Sequence, residues 1–233
     1  MKIAVLVSGR GSNMQAILKA SQDPEYPAEI ALVISNVADA AALSVAADAG
    51  VKTVAIPHGD YPDRESFDQR VTDEIIAANC QLVVLAGFMR LLSAEFCEYW
   101  RDKLINIHPS LLPAFKGLDV HARMIESGVR FGGCTVHFVR PEMDAGPIIV
   151  QAAVPIHPGD SPDDLAARIL IEEHQCYPLA VRWIAEGRVR ISGERVMIEG
   201  AMGADQSVIS PKNPQSKTPA FGRGFSRNVL AEN

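Results

Sequence analysis

Short runs rich in β-branched residues alternate with helix-like segments through the first two thirds of the chain. This alternation is typical of βαβ units, in which helices pack on both faces of a parallel sheet. The strand runs are 3–7, 30–34, 52–56, 82–86 and 104–108, and the helical segments are 12–20, 40–49 and 66–78. The first, second and fourth runs are apolar throughout, as strands covered on both faces should be. The sequence therefore predicts an α/β, Rossmann-like, doubly wound domain with a mostly parallel sheet.

The pattern changes in the last third of the domain. The runs 135–139 and 147–155 are separated by a loop that is too short for a crossover helix, so we expect them to pair antiparallel. The segment 161–185 begins with Ser-Pro-Asp-Asp, which provides an N-cap, a proline at the first helical position and acids in the first turn. We therefore expect a long helix there, followed by a hairpin of 189–191 and 195–198.

The composition favours a single domain that acts on small molecules. The 233 residues are enough for one domain with a sizeable core, and from residue 200 onward the sequence shifts to Gly, Ser, Pro, Asn and Gln. We expect a folded domain over 1–199 and a flexible, low-complexity tail over 200–233. The net charge of -6 gives no electrostatic reason to expect binding to nucleic acid or to an anionic membrane.

The cysteines and the N-terminus indicate the compartment. The four cysteines are scattered without a Cys-x-x-Cys pair, which predicts neither a disulfide framework nor a zinc site. The run 3–7 is too short for a signal peptide, and no segment approaches the roughly 18 apolar residues of a membrane span. We expect a cytoplasmic protein that is not bound to a membrane. The sequence leaves open whether it is a monomer or a homodimer.

A glycine turn, SGRGSN, lies between the first strand run and the first helical segment. Free N–H groups at a helix N-terminus bind phosphate, and Ser12 and Asn13 add side-chain donors. The third glycine of a dinucleotide fingerprint is replaced by Met14, no acidic residue closes the second strand, and no Walker lysine follows. The turn favours a monophosphate over NAD or ATP, but a structural turn capped by Ser12 fits the same residues.

The end of the fifth strand run carries an amide and an imidazole. Asn106 and His108 lie two positions apart and therefore share one face of the strand, which Pro109 ends. The carboxyl ends of strands line the ligand crevice of an open α/β sheet. Asp144, in a glycine-flanked turn, is the candidate carboxylate to orient His108 and favour its charged form. A catalytic pair and a structural capping histidine both remain open from these residues alone.

The other five histidines show no spacing typical of metal ligands, and we predict no metal site. His137 alternates with Thr135 on one strand face. We interpret His137 as a hydrogen-bonded structural residue and assign no function to the remaining four.

Five motifs resemble the folate-dependent formyltransferases in order and spacing, over about residues 1–199. They are SGRGSN (8–13), LAGFMRLLS (85–93), NIHPSLLPAFKG (106–117), GCTVHFV (133–139) and MDAGPII (143–149). The resemblance is greatest to the members that act on phosphoribosylglycinamide. It implies the formyltransferase fold and transfer of a formyl group from 10-formyltetrahydrofolate to the amine of N1-(5-phosphoribosyl)glycinamide, in de novo purine biosynthesis.

The resemblance implies that Asn106, His108 and Asp144 are the catalytic residues. Attack of the substrate amine on the formyl carbon gives a tetrahedral intermediate, whose oxyanion Asn106 and protonated His108 would stabilise. Asp144 would keep His108 protonated and, with a water, help to move the proton from the amine to the departing folate nitrogen.

The resemblance also implies a binding site for the phosphorylated substrate. Its phosphate would lie on Gly11, Ser12 and Asn13, its glycinamide near Gly87 and Pro109, and its ribose hydroxyls on Glu173. From the residues alone, Glu173 fits equally well as a solvated helical acid. Leu170 stands where the family leads us to expect a polar residue, which leaves a phosphate contact from that helix open.

The folate site is implied in the same way. Its contacts would be Met89, Arg90, Leu91, Leu92, Asn106, Val139, Arg140 and Asp144, with Arg64 near the glutamyl tail. Without the resemblance, the apolar side chains of the first group fit an ordinary core, and Arg64 fits a solvated loop charge.

Other activities share parts of this pattern. Methionyl-tRNA formyltransferase has the same Asn/His/Asp chemistry but would be expected to carry an additional C-terminal nucleic-acid-binding domain. Formyltetrahydrofolate hydrolase would be expected to add an N-terminal regulatory domain. A non-catalytic phospho-ligand domain would not require Asn106, His108 and Asp144 together. We therefore expect the transfer to phosphoribosylglycinamide.

Overall fold

A computed structural model describes residues 1–204 and 206–211 of the protein. The elements in chain order are β1 (Lys2–Val7), α1 (Ser12–Ala20), β2 (Glu29–Ser35), α2 (Ala41–Asp48), β3 (Lys52–Ala55), a 3₁₀ turn (His58–Asp60), α3 (Arg64–Ala77), β4 (Leu82–Leu85), α4 (Ala94–Tyr99), β5 (Leu104–His108), α5 (Val120–Glu126), β6 (Phe131–Phe138), β7 (Ile148–Pro155), α6 (Pro162–Ala185), β8 (Val189–Ser192) and β9 (Arg195–Ile198).

Seven strands form one sheet in the order β3-β2-β1-β4-β5-β6-β7, and β8 and β9 form a separate hairpin. The first five strands of this order are parallel neighbours, whereas β6 and β7 run antiparallel. The predicted doubly wound, mostly parallel sheet is confirmed. The strand order reverses between β1 and β4, and ligands of open α/β sheets bind at such a switch point.

Helices cover both faces of the parallel strands. Val5 and Val84 belong to an apolar cluster that includes Ile17 of α1 and Ile169 of α6, while Leu6 and Val83 belong to a second cluster with Phe67 and Phe96 of α3 and α4. All of these side chains are fully buried or nearly so. This burial explains why the sequence segments of β1 and β4 are apolar throughout, because neither face of either strand is exposed to water.

The predicted antiparallel pairing of β6 with β7 is confirmed, and β6 also pairs with β5. In that second pairing, Asn106 lies opposite His137, and His108 lies opposite Thr135. All four side chains therefore share one face of the sheet. The sequence did not predict the pairing of β5 with β6.

The long helix α6 begins at the predicted cap. The Ser161 side chain accepts a hydrogen bond from the Asp164 N–H at 3.2 Å, and the Asp164 carboxylate accepts one from the Ser161 N–H at 2.9 Å. Farther along α6, the fully buried Tyr177 hydroxyl lies 2.8 Å from the Leu85 carbonyl oxygen and 3.2 Å from the Ile105 carbonyl oxygen. These contacts place α6 over the ends of β4 and β5.

Two short helices were not predicted. The helices α4 and α5 have six and seven residues, which is too short to show a clear helical period. The start of α4 is fixed by Ser93, whose side chain accepts a hydrogen bond from the Phe96 N–H at 3.1 Å. The buried Asp68 carboxylate also accepts one from the Ser93 N–H at 2.6 Å.

The compact unit of the structure is Met1–Gly203, which extends slightly beyond the predicted domain of 1–199. The predicted hairpin is confirmed, and the Glu199 N–H extends it by donating to the Arg188 carbonyl at 2.9 Å. Most of the predicted flexible tail, residue 205 and 212–233, lies outside the described residues. None of the helices in the described part of the chain is both long enough and apolar enough to cross a membrane.

We predict that a chain ending at Gly203 unfolds in urea with the stability of the full chain, within about 0.5 kcal/mol. A second truncation after Ser192 provides the comparison, because it removes β9, whose Val196 and Ile198 pack against the core. The second chain should unfold at a lower urea concentration. If the first truncation also lowers the midpoint, the residues beyond Gly203 contribute to folding and the predicted domain boundary is wrong.

Candidate active site

The loops that follow β1 and β4 meet at the switch point, where Ser8 joins them. The Ser8 N–H donates to the Gly87 carbonyl at 3.1 Å, and the Met89 N–H donates to the Ser8 hydroxyl oxygen at 2.7 Å. The hydroxyl in turn donates to the Asn36 side-chain oxygen at 2.5 Å. One small side chain therefore fixes the distance between the predicted phosphate loop and the loop predicted to contact folate.

The N-terminus of α1 is open for a ligand. Gly11 occupies the N-cap position with a φ of 71°, and no side chain caps the helix, so the predicted alternative of a Ser12 cap is wrong. A Cβ atom on Gly11 would lie 2.6 Å from the Ala42 Cβ atom, so only glycine lets the turn pack this closely on α2. The first N–H groups of a helix have no partner within it and favour an anion.

Asn13 and Glu173 form a buried pair between α1 and α6. The Asn13 side-chain amide donates to the Glu173 carboxylate at 2.7 Å, and both residues are more than nine-tenths buried. Burial raises the pKa of Glu173, which the hydrogen bond from Asn13 partly offsets. The alternative of a solvated acid at position 173 is therefore wrong. The Asn13 side-chain oxygen has no partner among the described residues and can accept a hydrogen bond from a hydroxyl group.

His108 lies between two acceptors at the end of β5. Its Nδ1 atom is 3.5 Å from the Asp144 carboxylate, and its Nε2 atom is 2.9 Å from the Phe115 carbonyl oxygen. The ring is 92% buried, since its side chain is 8% exposed. The other Asp144 oxygen accepts a hydrogen bond from the Gly117 N–H at 2.7 Å. Both ring nitrogens of His108 therefore face an acceptor of the protein in this structure.

The loop that carries Asp144 bends sharply back to reach His108. Asp144 has a φ of 46° and Gly146 a φ of 117°. A Cβ atom on Gly146 would lie 2.2 Å from the Phe138 carbonyl oxygen, so a side chain there would push the loop away. The glycine that flanks Asp144 in the sequence is thus required by the close packing of the loop on β6.

Asn106 is held by His137, to which the sequence assigned only a structural role. The Asn106 side-chain nitrogen lies 3.4 Å from the His137 Nε2 atom, and the His137 Nδ1 atom lies 2.9 Å from the Phe138 carbonyl oxygen. Burial lowers the pKa of His137, so the neutral ring donates through Nδ1 and accepts from Asn106 through Nε2. The pairing of β5 with β6 is the signal that would have revealed this contact.

The loop after β4 exposes apolar side chains beside Asn106. Met89 is 74% exposed and Leu91 is 55% exposed, so the alternative of an ordinary core is wrong for both, although Leu92 packs partly against the core. The Arg90 guanidinium lies over the Phe67 ring, 4.8 Å from its centroid. Arg64, the first residue of α3, is exposed.

The residues on the other side of the predicted folate site differ in exposure. Val139 is half-buried against the core, whereas Arg140 is buried and donates to Asp102 at 2.8 Å and to the Val139 carbonyl at 3.1 Å. A cavity of about 550 Å³ is lined by Asp144 and Arg140 but not by Asn106 or His108. Among the described residues, no group of three or more His, Cys, Asp or Glu side chains is placed to hold a metal ion.

Comparison with known proteins identifies the family of this chain. The model of the family described as formyl transferase matches residues 1–181. The phosphoribosylglycinamide formyltransferase of Escherichia coli (strain K12) is 42% identical over 200 residues, which are 86% of this chain and 94% of that protein. The crystal structure of glycinamide ribonucleotide transformylase 1 from Symbiobacterium toebii has a TM-score of 0.83 and 47% identity, and the match covers 85% of this chain and 93% of that one.

Longer relatives contain a similar segment. The trifunctional purine biosynthetic protein adenosine-3 of Bos taurus is 44% identical over 190 residues, which are 82% of this chain but 19% of that protein. The present chain thus spans about a fifth of the length of this relative. Because the family model covers more than half of the sequence and the relatives exceed 40% identity, this chain belongs to the formyl transferase family.

Proposed function

We propose that this protein is a phosphoribosylglycinamide formyltransferase. It transfers the formyl group from 10-formyltetrahydrofolate to the amine of N1-(5-phosphoribosyl)glycinamide and releases tetrahydrofolate, in the synthesis of IMP. The observation that carries the proposal is the arrangement of Asn106, His108 and Asp144 at the end of β5, beside an uncapped helix N-terminus. The names of its relatives support the choice of substrate.

Asn106 and His108 supply two donors on one strand face. When the amine attacks the formyl carbon, negative charge develops on the formyl oxygen, and nearby donors stabilise it. The His108 N–H would exchange the Phe115 carbonyl for this oxygen. His137 holds the Asn106 amide, and Asp144 with the Phe115 carbonyl holds the His108 ring. The new C–N bond forms first and gives a tetrahedral intermediate. The bond from the formyl carbon to the folate nitrogen then breaks, and the amine proton moves to that nitrogen.

Asp144 has two tasks in this scheme. It orients the His108 ring with one oxygen, and it accepts a hydrogen bond from Gly117 with the other. As the carboxylate that faces His108, it would also provide, through a water, a route for the proton that leaves the amine. Because His108 is buried, the effective dielectric constant around it is lower than in water, which strengthens its electrostatic interaction with Asp144.

The exposed apolar side chains fit a flat aromatic co-substrate. Met89, Leu91 and Met143 are each more than half exposed, although burial would stabilise them by about 1.5–3 kcal/mol each. They lie on the two loops that follow the strands flanking β5. 10-Formyltetrahydrofolate supplies the activated formyl group, and these side chains with Arg90, Leu92, Val139 and Arg140 would bind its rings. Arg64, exposed on α3, would lie near the glutamyl tail.

The phosphorylated substrate fits the other side of the switch point. The α1 N-terminus at Gly11 and Ser12 would receive the phosphate, and Glu173 and the Asn13 oxygen would receive the ribose hydroxyls. Gly87 and Pro109 would border the glycinamide between this end and His108. This arrangement would direct the substrate amine towards the donors on β5.

The state of the cysteines bears on the compartment in which the protein acts. All four cysteines are buried and free, which fits a reducing environment. We therefore propose that the protein acts in the cytoplasm on two small-molecule substrates.

An assay of folate release tests the proposed function directly. The protein is incubated with 10-formyltetrahydrofolate and either phosphoribosylglycinamide or charged initiator tRNA, and tetrahydrofolate is followed spectrophotometrically. Release that depends on phosphoribosylglycinamide supports the proposal. Release with the tRNA alone assigns the protein to the tRNA-formylating members of the family, and release without an acceptor assigns it to the hydrolases.

We predict that Asn106→Ala and His108→Ala each lower kcat by at least about 10²-fold, because each removes one donor to the oxyanion. Calorimetry should show binding of phosphoribosylglycinamide within about threefold of wild type. His157→Ala, in an exposed loop, is the matched histidine control and should keep wild-type turnover. Turnover near the wild-type level in either of the first two variants would exclude the mechanism.

We predict that Asn13→Asp weakens binding of phosphoribosylglycinamide by at least about tenfold at pH 7.5. The new carboxylate would replace an amide that lies 2.7 Å from the Glu173 carboxylate and would also repel the phosphate. The double variant Asn13→Asp/Glu173→Gln removes one of the two repulsions and should recover part of the affinity. Calorimetry gives both values, and an unchanged affinity in the single variant would show that the phosphate binds elsewhere.

A further inference from the structure

Arg10 is an unengaged cation in the predicted phosphate loop. Its side chain is exposed, and it forms no ion pair within 4.0 Å and no stacking contact with an aromatic ring among the described residues. It lies between Gly9 and Gly11, directly before the free N–H groups of α1. An arginine presents five donors in a planar fork that matches a phosphate.

The backbone around Arg10 is fixed even though its side chain is free. The Gly9 carbonyl accepts a hydrogen bond from the Ala42 N–H at 3.1 Å, and the Arg10 carbonyl accepts one from the Gln15 side chain at 3.2 Å. The guanidinium is therefore tethered at a defined point beside the helix N-terminus. Binding would cost only the entropy of ordering one side chain.

The surroundings of the phosphate loop are otherwise short of positive charge. Lys19 lies in the last turn of α1, about 10 Å along the helix from Ser12. On α6, Arg168 is held by the Asp160 carboxylate at 2.7 Å, and Leu170 is apolar. Glu173, hydrogen-bonded to Asn13 of α1, adds an acid to these surroundings. A phosphate dianion bound only by neutral donors would lack a counter-charge beside this acid.

We propose that Arg10 binds the phosphate of the substrate as an ion pair and determines selectivity for the phosphorylated form. The inference rests on the proposed function and adds a residue to the substrate site. The α1 N–H groups and Ser12 fix the position of the phosphate, while the Arg10 guanidinium neutralises its charge. The buried Asn13 side-chain oxygen, which has no partner among the described residues, independently indicates that a ligand with a hydroxyl group binds beside this turn.

The test compares three variants in the full chain: Arg10→Gln, Arg10→Lys and the control Lys19→Gln, which removes an exposed charge from the adjacent helix α1. Arg10→Gln should raise KM for phosphoribosylglycinamide about tenfold or more while kcat changes less than threefold, since the guanidinium is remote from the reacting atoms. Arg10→Lys should give an intermediate KM, because it keeps the charge but loses the planar fork. Lys19→Gln should keep the wild-type KM.

Direct binding gives a second readout. Calorimetry with phosphoribosylglycinamide and with inorganic phosphate, at low and high NaCl, should show weaker and less salt-dependent binding for Arg10→Gln than for Lys19→Gln. If both variants have the same KM and the same salt dependence, Arg10 does not bind the phosphate and the inference is wrong. A wild-type protein that does not formylate phosphoribosylglycinamide would instead overturn the proposed function together with this inference.

Discussion

The contact between His108 and Asp144 depends on the loop between β6 and β7 folding back over β5. The strand β6 runs antiparallel to β5, so it leads away from the edge at which His108 lies. Asp144 returns to that edge because Gly146 lets the backbone approach the Phe138 carbonyl more closely than any side chain would allow. The Gly117 N–H then fixes the carboxylate. The donor geometry at β5 is thus set by two glycines that do not themselves react.

The helix α6 links the two ends of the site. Its Tyr177 hydroxyl is hydrogen-bonded to carbonyls of β4 and β5, and Glu173, one turn earlier, receives the Asn13 amide of α1. A buried carboxylate is stable only with such a partner, because desolvation penalises its charge. The distance from the glycine turn to the end of β5 is therefore determined by a single long helix with a strong N-terminal cap.

The fold could be predicted from the sequence because strand and helix periods are local. The long elements, their order and the α6 cap all follow from residues within one segment. The site could be predicted only in part. The shared face of Asn106 and His108 follows from their spacing, but the contact of Asn106 with His137 depends on a strand register between distant segments. The burial of Glu173 also depends on the packing of α1 against α6, so the residues next to it in the sequence do not indicate whether it is buried.

The charges of the site explain why its two ends are separated. Asp144 and Glu173 are both acids, and Asp144 faces the His108 ring at 3.5 Å. A phosphate bound close to His108 would compete with Asp144 for the same ring. Placing the anion at the α1 N-terminus avoids this competition, since the helix dipole and N–H groups favour negative charge there. In the proposed function, the His108 ring is then left for the oxyanion, whose stabilisation would lower the barrier to formyl transfer.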